Sequence, residues 1–231
     1  MISQFFEVQI LDGHISTLPS QRRLEIIEIA RRFNVQIIED DAYAGMTETT
    51  LPSLTSLGPE RVTRIIGVSK TLGPGLRVGY LEMPPQFTAK LAAVMHGTSI
   101  MASPISAGIV SHLIEGGDAE RILRENRDEL AKRNLVVDRH LSAFGVRTAR
   151  YCPHAWLELP VPWTKDDFVN ACSDNGILVL SSDVSAVDRN NIDHAVRVSV
   201  SAARSITELD TVARRIGEIL SVHVPFSAMM S

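Results

Sequence analysis

The 231-residue chain is 45% apolar and 22% charged, an ordinary globular balance with enough length for a sizeable core and perhaps a second domain. A net charge of -4 marks no nucleic-acid surface, two cysteines (Cys152 and Cys172) give no disulfide framework, and the seven histidines show no zinc-ligand spacing. No apolar run approaches the roughly 18 residues of a membrane span, and the start Met-Ile-Ser-Gln lacks the regions of a signal peptide, so the expected location is a reducing cytoplasm.

Residues 5–11 read as a strand followed by a turn at Asp12-Gly13-His14. Residues 19–33 place Leu24, Ile26, Ile27, Ile29 and Ala30 at helical spacing, with Thr17 or Ser20 as candidate caps. Two apolar strands follow, one from Gln36 running into Glu39-Asp40-Asp41-Ala42-Tyr43, the other from Val62 to Val68. After Pro84-Pro85 come helices over 86–96 and 104–115, the breaker pair Gly116-Gly117, and a long charged helix over 118–141 whose Arg and Glu residues read as a solvated face. The remainder reads as a small α+β domain: strands over 146–151, 156–159, 177–180 and 196–200, and helices over 165–175 and 205–220. Trp156 and Trp163 are expected to pack, and the tail after Pro225 is expected to be disordered.

Chemistry concentrates where two of these strands end. The 62–68 strand opens through Ser69-Lys70-Thr71 into a loop with Gly73, Pro74 and Gly75, and Arg77 lies seven residues beyond Lys70. A lysine at a strand end among apolar neighbours is a candidate amine nucleophile, and an arginine fork beside hydroxyls suits a phosphate. The other reading is a solvated lysine and a surface ion pair. At the earlier strand end, the Asp40 carboxylate could keep a cofactor's pyridine nitrogen protonated and Tyr43 could hydrogen-bond its ring oxygen; the alternative for Glu39-Asp40-Asp41 is a helix cap with solvated charge.

Taken together, Asp40-Asp41-Ala42-Tyr43, Ser69-Lys70-Thr71 and Gly75-Leu76-Arg77-Val78-Gly79-Tyr80 resemble the fold-type I pyridoxal-phosphate enzymes of the class I/II aminotransferase group. The resemblance implies Lys70 as the lysine that condenses with the cofactor aldehyde, Ser69 and Arg77 as phosphate ligands, Asp40 as the pyridinium partner and Tyr43 as the ligand of the ring's phenolic oxygen. Ala195-Val196-Arg197-Val198-Ser199-Val200 matches the strand whose arginine grips the substrate α-carboxylate, so Arg197 takes that role. Without the motif, Arg197 would read as an outward strand residue with a surface acid. His154 to Pro160, Pro162-Trp163-Thr164 and His194 to Arg197 are similar to the aminotransferase-like half of MocR-type regulators of the GntR family, which join a winged helix to a pyridoxal-phosphate domain.

What the resemblance implies is an α/β chain that corresponds to the second half of a pyridoxal-phosphate-dependent transferase fold. Residues 1–117 would be part of a large domain with a mostly parallel sheet, and 118–231 an interdomain helix with a small C-terminal domain. The implied function is amino-group transfer between an amino acid and a 2-oxo acid by a truncated chain. The alternative is an effector-sensing domain of a MocR/GntR-type regulator, and a third reading is a non-functional remnant. The implied partners are an amino acid or 2-oxo acid and a second copy in a homodimer, with DNA only if a winged helix precedes the chain. Three departures accompany the likeness. Asp12-Gly13-His14-Ile15 replaces the family's Asn-Pro-Thr-Gly, Gly67 replaces a serine, and the first half, with its glycine-rich phosphate cradle, is missing. In the family the antiparallel strand beginning at Val78 pairs with a strand of that half, so the chain alone is expected to expose an edge and bind the cofactor weakly.

Overall fold

A computed structural model describes residues 3–7, 17–46, 51–185 and 194–222. The predicted turn at Asp12 and the tail after Pro225 lie outside the described residues. The chain forms two compact units whose boundary falls inside one long helix, between Asn126 and Arg127.

The first unit is built on a four-stranded sheet of order β1-β2-β3-β4. Strands β1 (Ser3–Glu7), β2 (Gln36–Asp40) and β3 (Val62–Gly67) run parallel, and β4 (Gly79–Glu82) returns antiparallel to β3, with Arg64 opposite Glu82 and Gly67 opposite Gly79. Between β1 and β2 lies α1 (Ser20–Arg32), and before β3 the single turn α2 (Leu54–Leu57). Ile27, Ala30, Ile37, Leu54 and Val62 form the core under one sheet face. Neither Thr17 nor Ser20 caps α1: Pro19 holds the cap position without a side-chain bond. Nor does the whole apolar stripe of α1 face inward. Arg23, Ile27 and Ala30 are buried, whereas Leu24 and Ile29 are exposed. Arg23 can occupy a core position because its fork donates to the carbonyls of Leu18 and Pro52, both at 2.9 Å.

After β4 come α3 (Pro85–Thr98), α4 (Pro104–Glu115) and α5 (Asp118–Leu141), which begins after Gly117 in the left-handed region. No residue of α3 is buried, and Val94, Met95, Ile100, Met101, Ile105 and Ile109 along α3, α4 and their connection are exposed.

The second unit has an antiparallel sheet of order β5-β6-β8-β7, with β5 (Val146–Arg147), β6 (His154–Glu158), β7 (Leu180–Ser181) and β8 (Ala195–Ser199). Its helices are α6 (Lys165–Asp174), capped by Thr164, and α7 (Ile206–Ser221), capped by Ser205. The predicted strand over 146–151 is cut to two residues because the chain turns at Ala149, whose carbonyl accepts from Cys152 N–H at 2.9 Å. The strand expected at 177–180 moves to Leu180–Ser181, since Ile177 closes the end of α6 through the Cys172 carbonyl and is buried. Trp156 and Trp163 pack in this core as expected. Gly217 lets α7 approach α5 closely, since a Cβ there would lie 3.3 Å from the His140 carbonyl. The solvated face of α5 carries the Arg121 bridges to Asp118 and Glu125, but Arg133 on the same helix is buried and donates to the Val200 and Ala203 carbonyls.

Cys152 and Cys172 are both buried free thiols, and burial pushes Cys172 up to about 12. Ellman's reagent should therefore give no colour with the native chain and should titrate both thiols once denaturant is added.

Candidate functional site

The alternation of β2 decides which way each acidic residue points. Glu39 and Asp41 turn toward α1 and α2, at 0% and 1% exposure. Glu39 accepts from the backbone N–H groups of Leu54 and Thr55 at 2.9 and 3.1 Å and so caps α2. Asp41 accepts from Arg64 Nε at 2.7 Å and from its Nη2, and Arg64 reaches Glu82 of β4 at 3.6 Å. Burial raises the pKa of Asp41 despite the Arg64 pairing, and it lowers that of Arg23, which is partly held up by Glu39 and Asp41. Asp40, between these two, faces the opposite side of the sheet. Its Oδ1 accepts from Ala42 N–H at 3.1 Å, and its other oxygen makes no hydrogen bond among the described residues. By the same alternation Gly67 of β3 shares the Asp40 face, because Ile65 is the register partner of Asp40.

The next strand end carries the lysine. The Val68 carbonyl accepts from the N–H groups of Leu72 and Gly73 at 2.8 and 3.1 Å, so 68–73 is wound into a tight turn. Val68, Val78 and Val110 form a buried plug with Leu72 and Leu76 that fastens the loop to α4. Lys70 is exposed on this turn, and its Nζ stands 5.4 Å from the centre of the Tyr43 ring. Arg77 lies in the left-handed region at φ 53°, a conformation that costs a non-glycine residue on the order of 1 kcal/mol, and its guanidinium is exposed. Among the described residues the side chains of Ser69 and Arg77 make no hydrogen bond or ion pair, and Lys70 makes only the ring contact. A built Cβ at Gly67, Gly73 or Gly75 would meet nothing within 4 Å, so there is open space along the loop.

The structure thus brings Asp40, Tyr43, Ser69, Lys70 and Arg77 to the ends of adjacent strands in the first unit. Arg197 stands in the second unit, half-buried on the inner strand β8 between Trp156 of β6 and Leu180 of β7. Sequence reasoning missed the buried pair Asp41–Arg64 and the Glu39 cap. The signal was present in strand alternation, since an outward Asp40 forces both neighbours inward.

Residues 16–216 match the family described as Aminotransferase class I and II. The chain belongs to this aminotransferase family. Its curated relatives include the HTH-type transcriptional regulator YdeF of Bacillus subtilis, 28% identical over 84% of this chain and 42% of that protein. Aminotransferase tdiD of Emericella nidulans is 28% identical over 86% of this chain and 50% of that protein. The fold is that of LysN, the α-aminoadipate aminotransferase of Thermus thermophilus solved with N-(5'-phosphopyridoxyl)-L-leucine, at TM-score 0.79 and 22% identity over 94% of this chain and 58% of that one. The chain spans about half the length of the curated relatives it matches. The expected fold, a part of the fold-type I transferase architecture, and the expected likeness to both transaminases and helix-turn-helix regulators are therefore borne out.

Two outcomes test this geometry. Arg64→Met should cost about 3 kcal/mol in urea denaturation, because it leaves a buried carboxylate unpaired. Arg64 holds the Asp41 pKa down against the burial that raises it, so without Arg64 that pKa should rise further, and the loss should shrink as pH falls through the variant's Asp41 pKa. Gly67→Ser, with open space at the Cβ, should change stability by less than about 0.5 kcal/mol.

Proposed function

We propose that this chain supplies the lysine-bearing part of a pyridoxal-phosphate site, and that the protein transfers amino groups between an amino acid and a 2-oxo acid. The observation that carries this reading is the set of polar groups at two adjacent strand ends that make no hydrogen bond or ion pair among the described residues: one Asp40 oxygen, the Ser69 hydroxyl, the Lys70 amine and the Arg77 guanidinium. This donor set fits the cofactor. Arg77 and Ser69 suit the phosphate, and the open backbone at Gly73 and Gly75 leaves room for it. The free Asp40 oxygen can accept from a protonated ring nitrogen, and Tyr43 lies on the same side as Lys70.

Bound there, pyridoxal phosphate supplies an aldehyde for amines and an electron-withdrawing ring. The chain's own residues then do the rest. Lys70 carries the proton to and from the substrate α-carbon, Asp40 keeps the ring nitrogen protonated, and Arg197 receives the α-carboxylate on its planar fork. The exposed apolar residues of α3 and α4 support assembly with a second copy. A second reading, an effector-sensing domain with little turnover, is favoured by the match to YdeF over most of this chain; in that reading the same residues hold the ligand and the winged helix lies elsewhere in the protein.

The test is borohydride trapping with millimolar pyridoxal phosphate followed by peptide mass analysis. The chain has four lysines, Lys70, Lys90, Lys132 and Lys165, so three serve as internal controls. Lys70 should take most of the adduct, with a visible band that Lys70→Ala abolishes; equal labelling of all four would overturn the proposal. In the complete protein, Arg197→Lys should raise the half-saturating amino acid concentration by about tenfold, as expected for the loss of a charge-assisted bond.

A further inference from the structure

Three elements converge immediately behind Lys70. From α5, the Asn126 side chain donates through Nδ2 to the Thr71 carbonyl at 2.9 Å, one residue beyond Lys70. From the segment after β2, Gly45 sits so close to the same loop that a Cβ there would lie 2.7 Å from the Thr71 methyl and 3.3 Å from Leu123 of α5. Tyr43, the ring beneath the Lys70 amine, is two residues before Gly45. All of these residues belong to the first unit.

On its other side the turn that carries Lys70 is wound by the Val68 carbonyl, through Leu72, Gly73 and the Thr71 hydroxyl at 3.4 Å, and is fastened to α4 by the Val68–Val78–Val110 plug. Toward the Tyr43 segment, the Asn126 amide holds the Thr71 carbonyl to a long helix, and Leu123, one helical turn earlier, closes on Gly45. A half-buried amide is suited to this task because it donates without adding charge beside a lysine that must lose a proton to act.

We propose that Asn126 is a positioning residue for Lys70, setting the amine against Tyr43 through the Thr71 carbonyl, with Gly45 as the small residue that permits the approach. This rests on the reading of Lys70 as the cofactor lysine. Asn126 touches neither substrate nor cofactor in this role.

The trapping experiment measures it directly. The readout is the ratio of Lys70 to Lys90 adduct in the same chain, taken well below the melting temperature, together with the pH dependence of Lys70 labelling. Lys90 is exposed on α3 and serves as the control that general destabilisation would move equally. Asn126→Leu and Asn126→Asp, neither of which can donate to the carbonyl, should lower the ratio by about fivefold, the worth of one hydrogen bond. Asn126→Gln, which keeps the donor, should restore most of it. Gly45→Ala, which pushes the Thr71 methyl away from a different element, should lower the ratio in the same direction. If Lys70 is preferred in the parent chain and all four variants leave the ratio unchanged, the positioning role is overturned while the cofactor reading stands. If the parent chain itself shows no preference for Lys70, the cofactor reading falls, and this inference falls with it.

Discussion

The first unit depends on charge buried at the end of one strand. Glu39 and Asp41 leave solvent almost completely on one face of β2, and each does so with a partner: Glu39 takes two backbone N–H groups of α2, and Asp41 takes the Arg64 fork from the neighbouring strand. Burying such groups is costly unless they are paired; here the pairing is partial, since Asp41 Oδ1 and Arg23 Nη2 are buried without a hydrogen bond, and breaking the arrangement costs more than making it gains. These bonds serve as an alignment device. They lock the register of β2 against β3, and by alternation they direct Asp40 to the opposite face, where one of its oxygens stays available. An arginine at a core position of α1, held by two carbonyls, completes the set of charges under the sheet.

Against that fixed face, the lysine loop is shaped mainly by apolar packing. Val68 and Val78 flank the loop, and Val110 of α4 closes the plug between them. Among the described residues the side chains of Ser69 and Arg77 make no hydrogen bond or ion pair and Lys70 makes only its contact with the Tyr43 ring, while Arg77 is held in a backbone conformation an arginine does not prefer. Strain and uncommitted donors at a strand end are what a ligand site in an α/β sheet requires, because a ligand then meets groups that need not first break other bonds. The second unit is quieter: an antiparallel sheet with capped helices and with Arg197 half-buried on its inner strand.

The edges of the first unit tell a different story from its centre. β4 is exposed along its length, α3 buries no residue, and apolar side chains on α3 and α4 face outward. Contiguous apolar patches of this kind are uncommon on monomeric proteins and commonly mark interaction surfaces.

Much was determined by the amino-acid sequence alone. Most of the order of strands and helices followed from periodicity, the long helix was expected from a cap at Asp118 roughly to Leu141 and forms over Asp118–Leu141, and a lysine and an aspartate at the ends of apolar strands pointed to the candidate site. These are local signals, carried by neighbours in the chain. Tertiary structure alone decided which acids were buried, since Glu39 and Asp41 look like solvated charge until α2 and Arg64 close over them. It also decided that Leu24 faces out while Arg23 faces in, because only the carbonyls of Leu18 and Pro52 make that position fit for a cation. The contact of Asn126 with Thr71 joins residues 55 apart in sequence, and no pattern in either segment announces it. Such pairings depend on where separate elements meet, and that is fixed by packing in three dimensions.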